Sequence, residues 1–197
     1  MRVAVVGASG FVGRALIRHL LDHTDHQIVA LSRTPLKLDH PRAADRYQAI
    51  SCDLHNPLQL EHGLAGIDVA YYLVHSMLPG ARLNQGSFAD FDLSLADNFA
   101  RTARMRGVQH VIYLSGLAPS GGAISQHLLS RLEVETTLRS YLPTVTCLRT
   151  GMIVGPQGSS FTMMVRLVQR LPLMVCPAWT RNSCQIVVLD DVVRCLE

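Results

Sequence analysis

The chain has 197 residues and a formal net charge of +3; 48% of its residues are hydrophobic and 17% are charged. This composition fits one folded domain with a sizeable core and excludes a disordered chain. The basic residues form no long run, which argues against nucleic acid as a partner. No stretch approaches the roughly 18 consecutive apolar residues that span a membrane. The five scattered cysteines form no C-x-x-C pair, which predicts reduced thiols in a cytoplasmic protein rather than a disulfide framework.

Short apolar runs alternate with helical patterns along the chain. Continuously apolar runs are typical of parallel strands buried on both faces. The predicted strands are residues 2–7, 27–32, 47–52, 68–74, 110–115, 144–149 and 184–189. The predicted helices are residues 11–22, 57–64, 87–106, 125–141 and 159–170. This alternation predicts right-handed crossovers and a doubly wound, mostly parallel α/β sheet in a single domain over residues 1–197.

The first strand leads into the sequence VAVVGASGFVGRALIRHL, in which Gly7, Gly10 and Gly13 are spaced G-x-x-G-x-x-G. In dinucleotide-binding folds the first glycine permits a tight turn, the second lets a pyrophosphate approach, and the third lets helix pack on strand. The helix that follows directs free N–H groups and its positive end at the phosphates. Because the glycines lie between a buried strand and an amphipathic helix, they predict a dinucleotide site rather than a plain tight turn.

The second strand ends in Ser32 and Arg33, where an acidic residue would bind a ribose 2′-hydroxyl about 20 residues beyond the glycine loop. A guanidinium pairs with a 2′-phosphate instead, so the sequence predicts NADP, with NAD as the second choice. The alternative is an arginine solvated on a loop. After the third strand, Asp53 either accepts a hydrogen bond from the adenine amino group or caps the next turn.

His19 and His23 have the i, i+4 spacing of metal ligands, but the sequence shows no nearby carboxylate or cysteine that would complete a site. No metal is therefore predicted. Cations near the end of the first helix are an adequate explanation.

The motifs GASGFVG, CDL, DVAYYLVHS, HVIYLSG and LRTGMIVGP, in this order and spacing, resemble the extended and atypical branches of the short-chain dehydrogenase/reductase superfamily. The resemblance is to NmrA-like and nucleoside-diphosphate-sugar epimerase-like proteins. It covers essentially the whole chain, including VVLDDVVRCL, which is similar to the segment leading into the family's last helix. It implies a Rossmann-like NAD(P)-binding protein that transfers hydride between nicotinamide and a small carbonyl, alcohol or nucleotide-sugar substrate.

The resemblance and the loop pattern together assign two groups of residues. Ser115 falls where the family places the serine or threonine that polarises a substrate oxygen, and residues 150–153 would pass near the nicotinamide carboxamide. The cofactor-binding residues expected are Gly7, Ser9, Gly10, Phe11, Val12, Gly13, Ser32, Arg33, Asp53, Leu54, Leu73, Val74, His75 and Arg131.

The family's catalytic tyrosine and the lysine four residues later are replaced here by His127 and Arg131. Tyr141 lies at the far end of the same helix, and Tyr113 is expected in the core, so neither substitutes for the missing tyrosine. His127 titrates near neutrality and would act as a proton donor, with its pKa lowered by the nearby arginine. Arg131 would hold the nicotinamide ribose. The alternative is that both are surface residues of an exposed helix face.

These substitutions leave two functions open. One is an NADP-dependent oxidoreductase or epimerase-like enzyme with a small-molecule substrate. The other is a non-catalytic NADP(H)-binding redox sensor that reports to a regulatory protein partner; a homodimer is the other assembly considered. Residues 120–122 suggest either a gating loop or an ordinary connection. Residues 156–184 are expected to be the remnant of a substrate-binding lobe, in a truncated domain of a longer protein or in a member with a reduced lobe.

Overall fold

A six-stranded parallel sheet organises the computed structural model, which describes residues 1–75, 88–117, 124–156, 158–171 and 184–197. The spatial order of its strands is β3-β2-β1-β4-β5-β6, and every neighbouring pair is parallel. The strands are β1 (Arg2–Val6), β2 (Gln27–Ser32), β3 (Tyr47–Ser51), β4 (Val69–Tyr72), β5 (His110–Gly116) and β6 (Val145–Thr150). The predicted doubly wound α/β fold is confirmed.

Helices connect the strands close to the predicted bounds. They are α1 (Phe11–His23), α2 (Pro57–Gly63), α3 (Phe88–Met105), α4 (Gln126–Tyr141), α5 (Ser159–Arg170) and α6 (Leu189–Leu196). Two of them start at capping side chains: Asn56 accepts from the backbone N–H groups of Leu58 and Gln59, and Ser125 accepts from that of Leu128. These caps fix where α2 and α4 begin, and α4 carries His127 and Arg131.

The sheet buries apolar side chains on both faces. On one face, Tyr72, Phe99 and Leu138 belong to a core shared by α2, α3 and α4. On the other, Leu16 and Val193 belong to a core that α1 and α6 cover. Alternate residues of each strand enter opposite cores, which explains why the strand sequences are continuously apolar.

Two short elements at the end of the chain depart from the sequence prediction. β7 (Met152–Val154), which was not predicted, pairs in parallel with β8 (Ile186–Val188). The predicted strand through Leu189 is wrong at its end because α6 begins at that residue. Asp190 and Asp191 occupy the first turn of α6, where a carboxylate is stabilised by the positive end of the helix.

Chain order reverses between β1 and β4, which are neighbours in the sheet although β2 and β3 separate them in sequence. Ligands of doubly wound sheets bind at such a switch point, outside the carboxyl ends of the strands. The glycine turn follows β1 there, and Leu73 follows β4. Among the described helices, none is long and apolar enough to cross a membrane.

Candidate dinucleotide site and active site

The glycine turn after β1 has no room for side chains. Gly7 adopts φ +91°, a left-handed conformation that favours glycine. A Cβ atom on Gly13 would lie 2.4 Å from the Gly7 carbonyl oxygen, which is backbone and cannot move aside. Gly10 precedes the first residue of α1, and no described side chain caps that helix. The first-turn N–H groups of α1 are therefore placed to bind an anion, and the turn fits a dinucleotide pyrophosphate.

Backbone and side-chain hydrogen bonds hold this turn in place. The N–H groups of Gly7 and Ala8 donate to the Leu31 carbonyl at 3.0 and 3.2 Å. Arg14 Nε donates to the Ser9 carbonyl at 2.9 Å. The sequence prediction missed Arg14, although an arginine directly after the third glycine was a visible signal. Its exposed cationic side chain belongs to the same surface as the exposed Ser9.

The residues after β4 lie against the glycine turn, as their predicted role requires. The Leu73 N–H donates to the Val6 carbonyl at 2.9 Å. A Cβ atom on Gly7 would lie 3.1 Å from the Leu73 carbonyl carbon and 3.3 Å from Val74 Cγ2. The two segments are thus in contact, and His75 follows immediately.

A cationic side chain, that of Arg33, lies just beyond the carboxyl end of β2. Ser32 is buried, and its hydroxyl donates to the Thr34 carbonyl at 2.7 Å. The backbone carbonyl of Arg33 accepts from Ser51 Oγ at 3.0 Å, which fixes its main chain. The exposed guanidinium of Arg33 forms no hydrogen bond or ion pair with any described residue. This placement leaves it available to a ligand, and the 2′-phosphate role stays a prediction.

Asp53 caps the turn before α2, as the alternative interpretation expected. Its Oδ1 accepts from the His55 N–H at 3.0 Å, and its own N–H donates to Gln59 Oε1 at 2.8 Å. Leu54 is 7% exposed and packs into the core, so its side chain supports the turn from below. An additional contact of Asp53 with adenine remains a prediction.

Arg131 is buried, so the alternative that it is a surface residue is wrong. Its side chain on α4 is 5% exposed, and its Nη2 lies 3.4 Å from Oδ2 of Asp92 on α3, whose side chain is 7% exposed. A guanidinium keeps its proton under all ordinary conditions, so the carboxylate balances its buried charge. Asp92 was missed in the sequence. The available signal was an acid three residues before Leu95, on the otherwise apolar face of α3.

The charges of this ion pair shift the pKa values of two nearby histidines. Partial desolvation and the charge of Arg131 lower the pKa of His127, while Asp92 opposes the effect. Desolvation, then Arg131, lower the pKa of His75 to about 4, again against Asp92. Both side chains reach solvent, but the surrounding protein displaces part of their hydration. The predicted direction for His127 is confirmed, although burial contributes more than the arginine does. The structure brings His75, His127 and Arg131 into one electrostatic cluster, with both imidazoles neutral at pH 7.

Two buried hydroxyls near this cluster lack partners. Ser115 is 4% exposed and Ser130 is 7% exposed, and neither Oγ has a hydrogen-bond partner among the described residues. Burial raises the pKa of the nearby Tyr113 hydroxyl and Ser115 opposes this shift, so the two side chains are neighbours, although they do not meet hydrogen-bond geometry. A buried hydroxyl without a hydrogen-bond partner destabilises the fold, and a bound ligand that hydrogen-bonds to it would remove this cost. Ser115 was predicted as a site residue; Ser130 was not.

The segment after β6 returns toward the glycine turn. Residues 150–153 are only partly buried. Beyond them, Cβ atoms on Gly155 and Gly158 would lie 3.1 and 3.2 Å from the Phe11 ring, at the start of α1. Phe11 therefore links the glycine turn to the start of α5. Residues 120–122 and 172–183 lie outside the described residues.

The His19 and His23 pair is engaged in structural contacts. Their rings stack with centroids 4.2 Å apart, and His19 Nε2 lies 2.6 Å from Glu197 Oε2. A carboxylate is therefore near, contrary to the expectation from sequence, because folding brings the end of α6 onto α1. Among the described residues, no group of three or more metal-binding side chains assembles.

A family model described as NAD(P)H-binding matches residues 7–144. Two curated relatives are 28% identical. One is the auxiliary protein GraX of Staphylococcus aureus, over 137 residues, 69% of this chain and 43% of that protein. The other is ceramide reductase of Caulobacter vibrioides, over 193 residues, 98% of this chain and 59% of that protein. The chain thus spans about half of the length of the curated relatives it matches.

Solved structures share the fold. MoeE5 in complex with UDP-glucose and NAD has a TM-score of 0.76 at 21% identity, covering 100% of this chain and 70% of that one. The Citrobacter triphenylmethane reductase complexed with NADP(H) has a TM-score of 0.61 at 24% identity, covering 78% and 50%. At these identities the likeness concerns the fold alone. Together with the family match, it bears out the resemblance as far as an NAD(P)-binding protein with a Rossmann-like fold.

Proposed function

This chain belongs to the NAD(P)H-binding family, and we propose that it is an NADP(H)-dependent oxidoreductase acting on a small carbonyl or alcohol. The observation that carries the proposal is the buried Ser115 hydroxyl without a described partner, beside the cluster of His127 and Arg131. A substrate oxygen would complete this hydroxyl's hydrogen bonding. The name of the Caulobacter relative, a ceramide reductase, supports a reductive reaction.

The chain's own residues divide the work as follows. The turn at Gly7, Gly10 and Gly13 binds the pyrophosphate, and Arg33 binds the 2′-phosphate. Ser115 donates a hydrogen bond to the reacting oxygen and polarises it. When bound, the nicotinamide supplies or accepts the hydride.

Proton transfer falls to His127, since Arg131 holds a fixed charge. An imidazole whose pKa lies below 6.5 is mostly neutral at pH 7. It is then a better proton acceptor than donor, which favours alcohol oxidation near neutrality and carbonyl reduction in mildly acidic solution. Arg131 hydrogen-bonds the nicotinamide ribose and orients the ring.

A second candidate function is a non-catalytic NADP(H) sensor. Two observations favour it: His127 stands where the enzymes of the resembling families carry a tyrosine, and the S. aureus relative is named an auxiliary protein rather than an enzyme. In this case the cofactor state would be transmitted to a protein partner.

Turnover separates the two functions. Wild-type protein and the His127→Ala and Ser115→Ala variants are tested with NADPH against a panel of aldehydes and ketones, with NADPH binding measured separately by fluorescence. If the protein is an enzyme, we expect turnover to fall by about 10²–10⁴-fold in His127→Ala. His62→Ala, which alters an exposed histidine on α2, is the matched control. If the protein binds NADPH but turns over no substrate, and His127→Ala does not change NADPH binding, the result would support the sensor and contradict the enzyme.

The substrate lobe is part of the same proposal. Residues 156–184 would contribute to it, and α5 supports this because its apolar side chains Phe161, Met164 and Leu167 are 38–45% exposed, without a full covering from the described residues. The match with the Caulobacter relative covers 59% of that protein, so the relative has further residues outside the matched region. In this proposal the exposed apolar side chains of α5 are covered by the substrate lobe or by the substrate itself.

The setting of the proposed reaction is the cytoplasm. Four of the five cysteines lie in the described part of the chain, and all four are free thiols: Cys52, Cys147, Cys184 and Cys195. Burial raises the pKa of Cys52 and of Cys147 to about 11, so these two are protonated and unreactive at neutral pH. The partners proposed are a small-molecule substrate and either a second copy or a regulatory protein.

A further inference from the structure

The buried pair of Asp92 and Arg131 joins two helices at the edge of the proposed active site. Asp92 comes from the first half of α3 and Arg131 from the second turn of α4, and their closest side-chain atoms are 3.4 Å apart. Each side chain is at least 93% buried. An ionised pair in such surroundings is costly to bury, and replacing it with apolar residues often stabilises a protein. Its presence calls for a role besides stability.

The groups around the pair come from several elements of the sheet's carboxyl edge. Tyr72 from β4 and Tyr113 from β5 interact with both charges, and the Tyr113 hydroxyl lies 3.5 Å from the Arg131 carbonyl oxygen. His75 lies just after β4, and His127 lies one turn before Arg131. Of these neighbours, none carries a charge at neutral pH that could replace the carboxylate of Asp92.

We propose that Asp92 is the positioning residue of this site, holding the Arg131 guanidinium toward the nicotinamide ribose and balancing its charge beside His75 and His127. The inference rests on the proposed function, which places Arg131 at that ribose. Asp92 itself touches neither substrate nor cofactor. It acts through Arg131, whose planar group would otherwise be free to turn toward solvent.

After desolvation, which is the larger cause, the pair also shifts the pKa values of the two histidines. Arg131 lowers the pKa of both His75 and His127, and Asp92 raises both, with the arginine having the larger effect. Removing only the carboxylate must therefore lower both pKa values further. Removing both charges must raise them above the wild-type values. A residue with only a packing role would not produce this order.

Asp92→Asn is the central variant, with Asp92→Glu as the conservative rescue. Asp97→Asn is the matched control: Asp97 lies on the same helix and pairs with Arg101 and Tyr141. The probes are NADPH, which contains the nicotinamide ribose, and adenosine 2′,5′-bisphosphate, which does not. We expect Asp92→Asn to weaken NADPH roughly 10- to 100-fold, the size of one charge-assisted hydrogen bond. Binding of the bisphosphate should be unchanged.

Histidine titration by NMR supplies an independent readout. We expect the pKa of His127 to be lower in Asp92→Asn than in the wild type. In the Asp92→Asn/Arg131→Gln double variant it should be higher than in the wild type. The double variant contains no uncompensated buried charge, so it remains measurable if Asp92→Asn alone fails to fold. Asp97→Asn should leave both the titration and the NADPH affinity at wild-type values.

The outcomes separate the two proposals. If Arg131→Ala weakens NADPH selectively but Asp92→Asn does not, the positioning role is wrong while the proposed function stands. Equal weakening of NADPH and the bisphosphate by Asp92→Asn would indicate a merely structural role and overturn the inference. A wild-type protein that binds no NADPH contradicts the proposed function. In that case the titration order still decides whether Asp92 balances Arg131 beside the histidines.

Discussion

Arg33 is the residue on which the cofactor preference depends. It directly follows β2 at the carboxyl edge of the sheet, with its backbone carbonyl fixed by Ser51 and its guanidinium free of described partners. We predict that Arg33→Ala weakens NADPH about 10- to 100-fold and NADH less than about twofold, because only NADPH carries the 2′-phosphate. Isothermal titration measures both. Arg18→Ala, an exposed arginine on α1, is the control. Equal losses for the two cofactors would show that Arg33 does not select between them.

His127 should govern the pH dependence of any turnover. Its folded pKa lies below 6.5, mainly through desolvation and then through Arg131. If it donates the proton in carbonyl reduction, kcat/KM is highest below this pKa and declines as the pH rises through it. In alcohol oxidation the profile is reversed. We expect the limb in both directions to have its midpoint below pH 6.5 and to disappear in His127→Gln. A midpoint near pH 10 would indicate a tyrosine instead.

His75 links the same cluster to stability. Its pKa is about 4 in the folded protein and 6.5 in the unfolded chain, so the unfolded chain binds a proton that the folded protein does not between these values. The contribution is complete above pH 6.5 and is lost as the pH falls toward 4. We predict that His75→Gln flattens the fall in Tm between pH 6.5 and 4. His62→Gln should retain the wild-type slope, and a slope unchanged in His75→Gln would refute the assignment.

Single residues also show where sequence reasoning stops. The glycine turn, Arg33 and Ser115 could be found because each lies at or just beyond the end of a strand whose apolar run is visible. For Asp92 the sequence shows only an acid on an apolar helix face, and its pairing could not be predicted because Arg131 lies on another helix and only folding brings the side chains to 3.4 Å. Burial of Arg131 was missed for the same reason.

At the level of elements, the packing of α1 on β1 depends on Gly13. Its missing side chain lets the helix approach to where a Cβ atom would be 2.4 Å from the Gly7 carbonyl oxygen and 3.0 Å from Ala8 Cα. We predict that Gly13→Ala forces the helix away, which costs about 1–3 kcal/mol of unfolding free energy and lowers Tm by roughly 3–10 °C. NADPH affinity should fall as well, because the first-turn N–H groups move with the helix.

Gly107→Ala is the control for that variant. Gly107 has φ +75°, so an alanine there is strained, but its Cβ would meet nothing within 4 Å. It should lower stability modestly and leave NADPH affinity unchanged. If Gly13→Ala behaved in the same way, close helix–strand packing would not be what shapes the phosphate site.

The long elements could be predicted, and the short ones could not. Buried strands and amphipathic helices leave apolar patterns over many residues, and α5 was predicted at its observed bounds, 159–170. β7 has only three residues, between Gly151 and Gly155, too few for a pattern. Leu189 continues the apolar run of β8, so the start of α6 was hidden there.

For the whole molecule, the family match over residues 7–144 and the six-stranded parallel sheet agree on an NAD(P)-binding fold, to which the proposed substrate lobe would add residues 156–184. The chain aligns with 59% of the Caulobacter relative, and α5 presents exposed apolar side chains. Substrate identity would be determined by what covers that helix. In our proposal the phosphates of the dinucleotide lie against β1, α1 and the end of β2, while Arg131 of α4 reaches the nicotinamide ribose.

A titration with NADP⁺, NADPH, NAD⁺ and NADH, followed by thermal shift, tests the central claim most directly. A ligand that binds only the folded state stabilises it and so raises Tm. At a hundred times its Kd, the free energy of unfolding increases by about 2.7 kcal/mol. We predict that all four stabilise the protein and that the two phosphorylated forms do so at concentrations at least tenfold lower. No shift with any of the four, or equal shifts for NADH and NADPH, would contradict an NADP(H) site built on Gly7, Gly13 and Arg33.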